Sequence, residues 1–196
     1  MDDSEHLSQE VAKLRSSLSR LPEPVAQPFL VLVSGLPGTG KSHFCHKLAE
    51  RVPVVILESD ALRRVLFPSP GYTQSESAHL FQVIHLLIEQ LLKEHIPLAL
   101  DATNLSEKHR QHLYNIADRL KARLIIAQMK ANPELVRRRL EERFQAQQRI
   151  DSSEAGWTVY QKMKPSQDRI RRNHFVVDAS RDIAPVLDKI VRELRR

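Results

Sequence analysis

The sequence predicts an α/β protein of three layers, a parallel sheet of five short strands with helices on both faces. Three observations predict it. The runs FLVLVS, VPVVILES, IPLALD, ARLIIAQMKA and HFVVDAS are apolar almost throughout rather than alternating, the mark of strands buried on both faces. Each is followed by a stretch with helical character, the alternation that builds parallel sheets. Proline and glycine punctuate the joints, as in PSPGYT.

The first element is a helix. Leu7, Val11, Leu14, Leu18 and Leu21 recur at spacings of four and three, one apolar stripe at the N-terminus. Pro22, Pro24 and Pro28 end it, so residues 1–28 read as an amphipathic helix with a Pro-rich linker ahead of a domain at 29–196. The stripe either docks on its own domain, the commoner outcome, or mediates self-association with another chain. FLVLVS is the first strand and KSHFCHKLAER the helix after it; VPVVILES is the second strand, with a short helix from Ala61 to Phe67. SESAHLFQVIHLLIEQLLKEH is a long helix with a serine and a glutamate at its start, where capping residues belong. IPLALD, the helix SEKHRQHLYNIADRLK and the strand ARLIIAQMKA come next. PELVRRRLEERFQAQQ is a helix opened by Pro133 in its first turn. HFVVDAS and the helix APVLDKIVRELR close the chain.

The 196 residues suit one domain with a substantial core, and 41% hydrophobic with 28% charged residues is ordinary for a globular chain. No apolar run approaches the ~20 residues that cross a bilayer, so no membrane partner is expected. The opening MDDSEHLSQE lacks the basic and apolar regions of a secretory leader, and Cys45, the one cysteine, excludes an internal disulfide framework. The expected compartment is cytoplasmic. The net charge of +6 hints at an anionic partner. Its arginines gather between Arg137 and Arg149, at Arg169 to Arg172 and at Arg195–Arg196, and solvated helix faces explain such clusters equally well.

One stretch carries chemistry plainly. Gly35-Leu-Pro37-Gly38-Thr39-Gly40-Lys41-Ser42 lies between a predicted strand and a predicted helix and matches the phosphate-binding P-loop pattern. Its glycines let successive N–H groups point inward at phosphate oxygens, and the following helix adds its positive dipole end. Lys41 would meet the β- and γ-phosphates of a nucleoside triphosphate, Ser42 would coordinate Mg²⁺, and Pro37 and Thr39 would shape the loop.

Three further stretches surround it. In ESDALRR, Asp60 follows the second strand and can accept a hydroxyl proton, unless it only caps the helix; Arg63 could hold an anionic part of an acceptor. In LDATN, Asp101 closes the third strand, where a carboxylate can join a Mg²⁺ shell, and Asn104 either contacts the acceptor or starts the next helix. In VRRRLEERFQAQQR, Arg139 and Arg143 are four apart on one helix face and could neutralise charge on a transferred phosphoryl group.

Together SGLPGTGKS, SDALRRVLF, LDATNLS and the arginine helix followed by SSEAGWTVYQKM resemble the P-loop kinases that include 5′-hydroxyl polynucleotide kinases and zeta toxins. The likeness runs from Phe29 onward. It implies a strand order of 2-3-1-4-5, a helical lid at about 137–165, Asp60 as general base, Arg63 on an acceptor phosphate, and Arg139 and Arg143 as lid arginines. The implied activity is ATP- and Mg²⁺-dependent transfer to a hydroxyl, first a 5′-OH nucleic-acid end, alternatively a small-molecule alcohol. An ATPase without an acceptor is the competitor from another class, and a guanine-reading Asn-Lys-x-Asp pattern is absent. The nine histidines lack a completing ligand set, His85 reads as a packed residue, Cys45 as a small hydrophobe, and Trp157 and Tyr160 as packing of the lid helix or, second to that, as a stacking surface for a base.

Overall fold

A computed structural model describes residues 3–18, 20–146 and 153–195. It contains helix α1 (Asp3–Ser17), strand β1 (Phe29–Ser34), α2 (Lys41–Ala49), β2 (Val55–Glu58), α3 (Ser59–Leu66) and α4 (Gln74–Lys93). These are followed by β3 (Leu98–Asp101), α5 (Glu107–Arg119), β4 (Arg123–Lys130), α6 (Pro133–Ala146) and α7 (Ser153–Met163). A 3₁₀ turn at Lys164–Ser166, β5 (Phe175–Asp178) and α8 (Ala184–Leu194) complete it. Residues 147–152 of the predicted lid, Arg149 included, and Arg196 lie outside the described residues.

The sheet is parallel with order β2-β3-β1-β4-β5, as the resemblance implies. Alternation along β1 assigns the two cores. Leu30 and Leu32 face α4 and α5, where they meet Ile84, Leu87 and Leu113; Val31 and Val33 face α2 and α8, where they meet Phe44, Leu48 and Ile190. Strand register sets the edge of the sheet. Val33 pairs with Asp101 and Asp101 with Glu58, so β1, β3 and β2 end level with one another.

Element boundaries shift for local reasons. β2 begins at Val55 rather than Val52, because the Val52 N–H still bonds to Leu48 O at 3.0 Å and Pro53 has no N–H to offer a ladder. α3 begins two residues ahead of Ala61, with Glu58 at its N-cap. α4 is capped by Thr73, whose side chain accepts the Glu76 N–H, and not by the serine at the start of the predicted helix.

The apolar stripe of α1 faces this chain's own α3 and α4. Val11 and Leu14 are buried in the same core as Leu62, Leu66 and Leu80, with Leu7, Leu18 and Leu21 packed around them. Arg15 forms a two-pronged ion pair with Glu94 at 2.6 Å, and Glu10 meets His79 at 2.9 Å. The linker is tied down as well, with the Val25 N–H donating to His95 O at 3.0 Å. Of the two outcomes expected for the stripe, the structure shows docking on its own domain. No helix among the described residues is long and apolar enough to cross a membrane.

Leu14→Ala should lower unfolding stability by about 3 kcal/mol, the usual cost of an emptied leucine site. Urea unfolding with sedimentation checks it; an α1 that docks internally predicts lost stability with no change in oligomeric state.

Candidate nucleotide and acceptor site

The level strand ends create the site. β1 runs into Gly35, whose N–H donates to Thr103 O at 3.0 Å, so the loop after β1 is stitched to the turn after β3. The neighbouring Ser34 hydroxyl donates to Asn104 O at 3.0 Å. A Cβ on Gly35 would sit 2.8 Å from Thr39 Oγ1 and 2.9 Å from Met129 O, and only hydrogen fits there. Gly38 and Gly40 adopt φ of +77° and +91°, which bends the chain over the end of α2. Thr39 is buried with its hydroxyl on Leu36 O at 2.7 Å, and it shapes the loop as expected, next to half-buried Pro37. Ser42 is exposed in the first turn of α2, which no acidic side chain blocks.

Lys41 lies at the centre. Its Nζ donates to Leu36 O at 3.1 Å. Burial lowers its pKa, the fields of Asp101 and then Asp60 oppose that lowering, and Arg143 adds to it. Three residues predicted from separate stretches are therefore within electrostatic reach of Lys41. Asp101 is buried, and its Oδ2 has no hydrogen-bond partner. A desolvated carboxylate oxygen left in that condition is costly and suits a cation or its water shell. Ser42 and Asp101 thus fit a Mg²⁺ site by their donor chemistry.

Asp60 lies in the first turn of α3, behind the N-cap residue Glu58. The helix uses no side-chain cap, so Asp60 is not occupied by capping, and among the described residues it has no hydrogen-bond partner.

Arg63 departs from expectation. It is buried, pairs with Glu76 and donates to Ser77 Oγ at 3.1 Å, and lies 4.9 Å from the Tyr72 ring centroid. Glu76 also accepts from the N–H groups of Gly71 at 2.7 Å and Tyr72 at 3.3 Å. Burial works against charge on Glu76, yet Arg63 and those two N–H groups hold its pKa below the usual carboxylate range. Arg63 thus braces α3 to α4 and the PSPGYT loop through its two Nη groups, while its buried Nε has no hydrogen-bond partner. Asn104 is corrected too. It neither caps α5, which follows Ser106, nor extends freely; it is buried at φ +46° with its amide on Val33 O at 2.7 Å.

Arg139 crosses the loop from α6, with Nη1 3.5 Å from Gly38 O and Nη2 donating to Ala179 O at 3.2 Å. Arg143 is exposed and has no partner among the described residues. Arg137 and Arg138 pair with Glu141 and Glu142, the solvated-face alternative. Val136 and Leu140 of α6 join Leu36, Leu105 and Tyr160 in a small apolar cluster that seats α6 and α7 on the loop. Trp157 stacks on Tyr160 at 4.8 Å between centroids.

Two features were missed by sequence reasoning. Arg110 is fully buried and donates to the carbonyls of Asn104 and Leu105, both at 2.6 Å, and of Asp168 at 3.0 Å. It locks the turn that the P-loop leans on, and no local pattern marks it. The second is a cavity of ≈ 280 Å³ beyond Thr103, between α4, α5 and α7. Its wall includes His85, whose pKa is pushed down to about 4 by burial, then by His112 and His109. Cys45 is buried, and burial raises its thiol pKa. Among the described residues no group of His, Cys, Asp or Glu is arranged to hold a metal ion.

A parallel sheet whose central strand enters a glycine loop, lysine and helix defines a P-loop nucleotide-binding fold. A family model described as AAA domain matches residues 30–181, and the chain belongs to that family. Solved structures agree on the fold. The APS kinase CysC of Mycobacterium tuberculosis, in complex with AMPPNP and APS, superposes with a TM-score of 0.66 at 16% identity, covering 89% of this chain and 100% of that one. A gluconokinase from Sinorhizobium meliloti gives 0.60 at 18% identity, covering 86% and 96%. Kti12 of Chaetomium thermophilum, in complex with ADP-AlF3, gives 0.61 at 18%, covering 82% and 96%. These comparisons do not single out the 5′-hydroxyl polynucleotide kinases or zeta toxins.

Gly35→Ala should weaken nucleotide binding at least tenfold and lower the melting temperature, since its methyl meets backbone on one side; calorimetric titration with ATP analogues reads the first. Between about pH 6.5 and 4 the unfolded chain protonates His85 while the folded chain resists, so stability falls as pH drops through that window. Urea unfolding of His85→Phe should show a shallower loss across it.

Proposed function

We propose that the protein is an ATP-dependent phosphotransferase that moves the γ-phosphoryl group to a hydroxyl of a small-molecule alcohol. One observation carries this: Asp60, an uncapped carboxylate at the end of β2, stands in the field of the P-loop lysine. A phosphate-binding loop alone serves many functions. A free carboxylate beside it adds the group that acceptor chemistry requires.

The roles follow from position. The N–H groups of the glycine loop and the start of α2 bind the phosphates, and Lys41 moves from Leu36 O to the β- and γ-phosphate oxygens. Asp60 takes the proton from the acceptor hydroxyl as its oxygen attacks phosphorus. Arg139 and Arg143, from the lid helix α6, stabilise charge on the equatorial oxygens. The Ser42 hydroxyl and Asp101 would hold Mg²⁺, which would supply neutralisation of phosphate charge when bound. Arg63, Glu76 and Asn104 are positioning residues.

A small alcohol is favoured over a 5′-OH nucleic-acid end for two reasons. Arg63, which was to grip an acceptor phosphate, is already paired with Glu76. Among the described residues three arginines of the basic clusters are locally balanced, Arg137 by Glu141, Arg138 by Glu142 and Arg172 by Asp118. The APS kinase and gluconokinase likeness in fold supports the same preference.

The test supplies γ-labelled Mg-ATP with a panel of small alcohols beside DNA and RNA bearing 5′-hydroxyls. Label should appear in a small alcohol, and Asp60→Asn should lower kcat by about 10²–10⁴ while leaving nucleotide affinity within a few-fold. Label confined to nucleic acid would overturn the acceptor class. Hydrolysis that no acceptor accelerates would identify an ATPase instead.

A further inference from the structure

We propose that the cavity between α4, the β3–α5 turn, α5 and α7 binds the non-reacting end of the acceptor, and that this end carries a carboxylate or phosphate group. The inference rests on the phosphotransferase function proposed above and names its substrate class.

The cavity lining mixes apolar side chains, Phe81, Leu113 and Met163, with His85, His109, Lys162 and Ser106, and no aspartate or glutamate is among the lining residues. Lys162 has no hydrogen-bond or ion-pair partner among the described residues. His85 on α4 faces His112 and His109 of α5, its ring 5.9 Å from that of His112. The carboxylate one turn along its own helix, Glu89, is held by Lys93 and Arg119. The Lys162 ammonium therefore lines the space with no opposite charge among the lining residues, and His85, neutral with its pKa at about 4, and the Ser106 hydroxyl offer hydrogen bonds beside it. One cation with neutral donors around it, next to apolar side chains, suits an organic anion.

Location connects this space to the phosphate loop. Its floor is the Thr103–Ser106 turn, and Thr103 O is the acceptor for the Gly35 N–H. Arg110 clamps the Asn104 and Leu105 carbonyls from behind, so the floor is rigid. At ≈ 280 Å³ the space takes a molecule of sugar size. Its far wall belongs to α7, which ties occupancy to the seating of that helix.

Three matched probes test this on the full chain without nucleotide: sorbitol, gluconate and sorbitol 6-phosphate, followed by calorimetry and by the imidazole NMR signals of His85 and His109. At least one anionic probe should bind tenfold or more tighter than sorbitol and shift both signals, and the tighter of the two identifies the group. Lys162→Met and His109→Gln alter exposed side chains and should each erase most of that preference while leaving ATP affinity unchanged. Equal binding of all three, binding of none, or a preference that survives both substitutions overturns the inference. The two proposals fail separately. Anion binding without any label transfer leaves the anion site and removes the phosphotransferase. Transfer to alcohols with a KM untouched by Lys162→Met does the reverse.

Discussion

The half-buried Lys41, in the field of two carboxylates beside a glycine bend, is the constraint around which this molecule is organised. A lysine taken out of water costs several kcal/mol unless opposite charge is near. Here Asp101 and Asp60 offset part of that cost, and neither makes a hydrogen bond to it. The arrangement is only partly satisfied, as the orphaned Asp101 oxygen also shows. Sites that wait for a charged ligand carry this kind of incomplete pairing, and the rest of the fold has to hold it in place.

It is held by backbone pairing and by two buried side chains. Parallel pairing of β1 with β3 sets Val33 opposite Asp101, and the Gly35–Thr103 hydrogen bond continues the register past the sheet. Asn104 takes a left-handed conformation to turn its amide back onto Val33, and Arg110 fills the carbonyls beneath. Each of these groups is buried, so each would be expensive to leave unpaired. The turn after β3 therefore has one geometry, and the phosphate loop inherits it.

Much of this was legible in the sequence, because the signals are local. Continuous apolar runs gave the strands, the spacing of Leu7, Val11 and Leu14 gave α1, and the loop from Gly35 to Ser42 carries its own mechanism. Long-range partners were not legible. Arg63 looked like a free cation until Glu76, in the next helix, claimed it. Asn104 looked like a cap because asparagine after a strand often is one, but the β3 turn required a residue tolerant of positive φ. Arg110 reads as one more surface arginine on a helix, and only packing reveals it as buried. The cavity is invisible for the same reason: its walls come from three helices and a turn that share no stretch of sequence.

The N-terminal helix gives the two sides of the cleft unequal stiffness. α1 lies outside the segment that matches the AAA domain family, yet it presses on both α3, which bears Asp60, and α4. With Leu14 wedged into the interior and Arg15 latched to Glu94, that jaw is anchored from behind. The opposite jaw, α6 and α7, rests on a cluster of a few apolar residues. The side that bears Asp60 is thus the more extensively packed of the two.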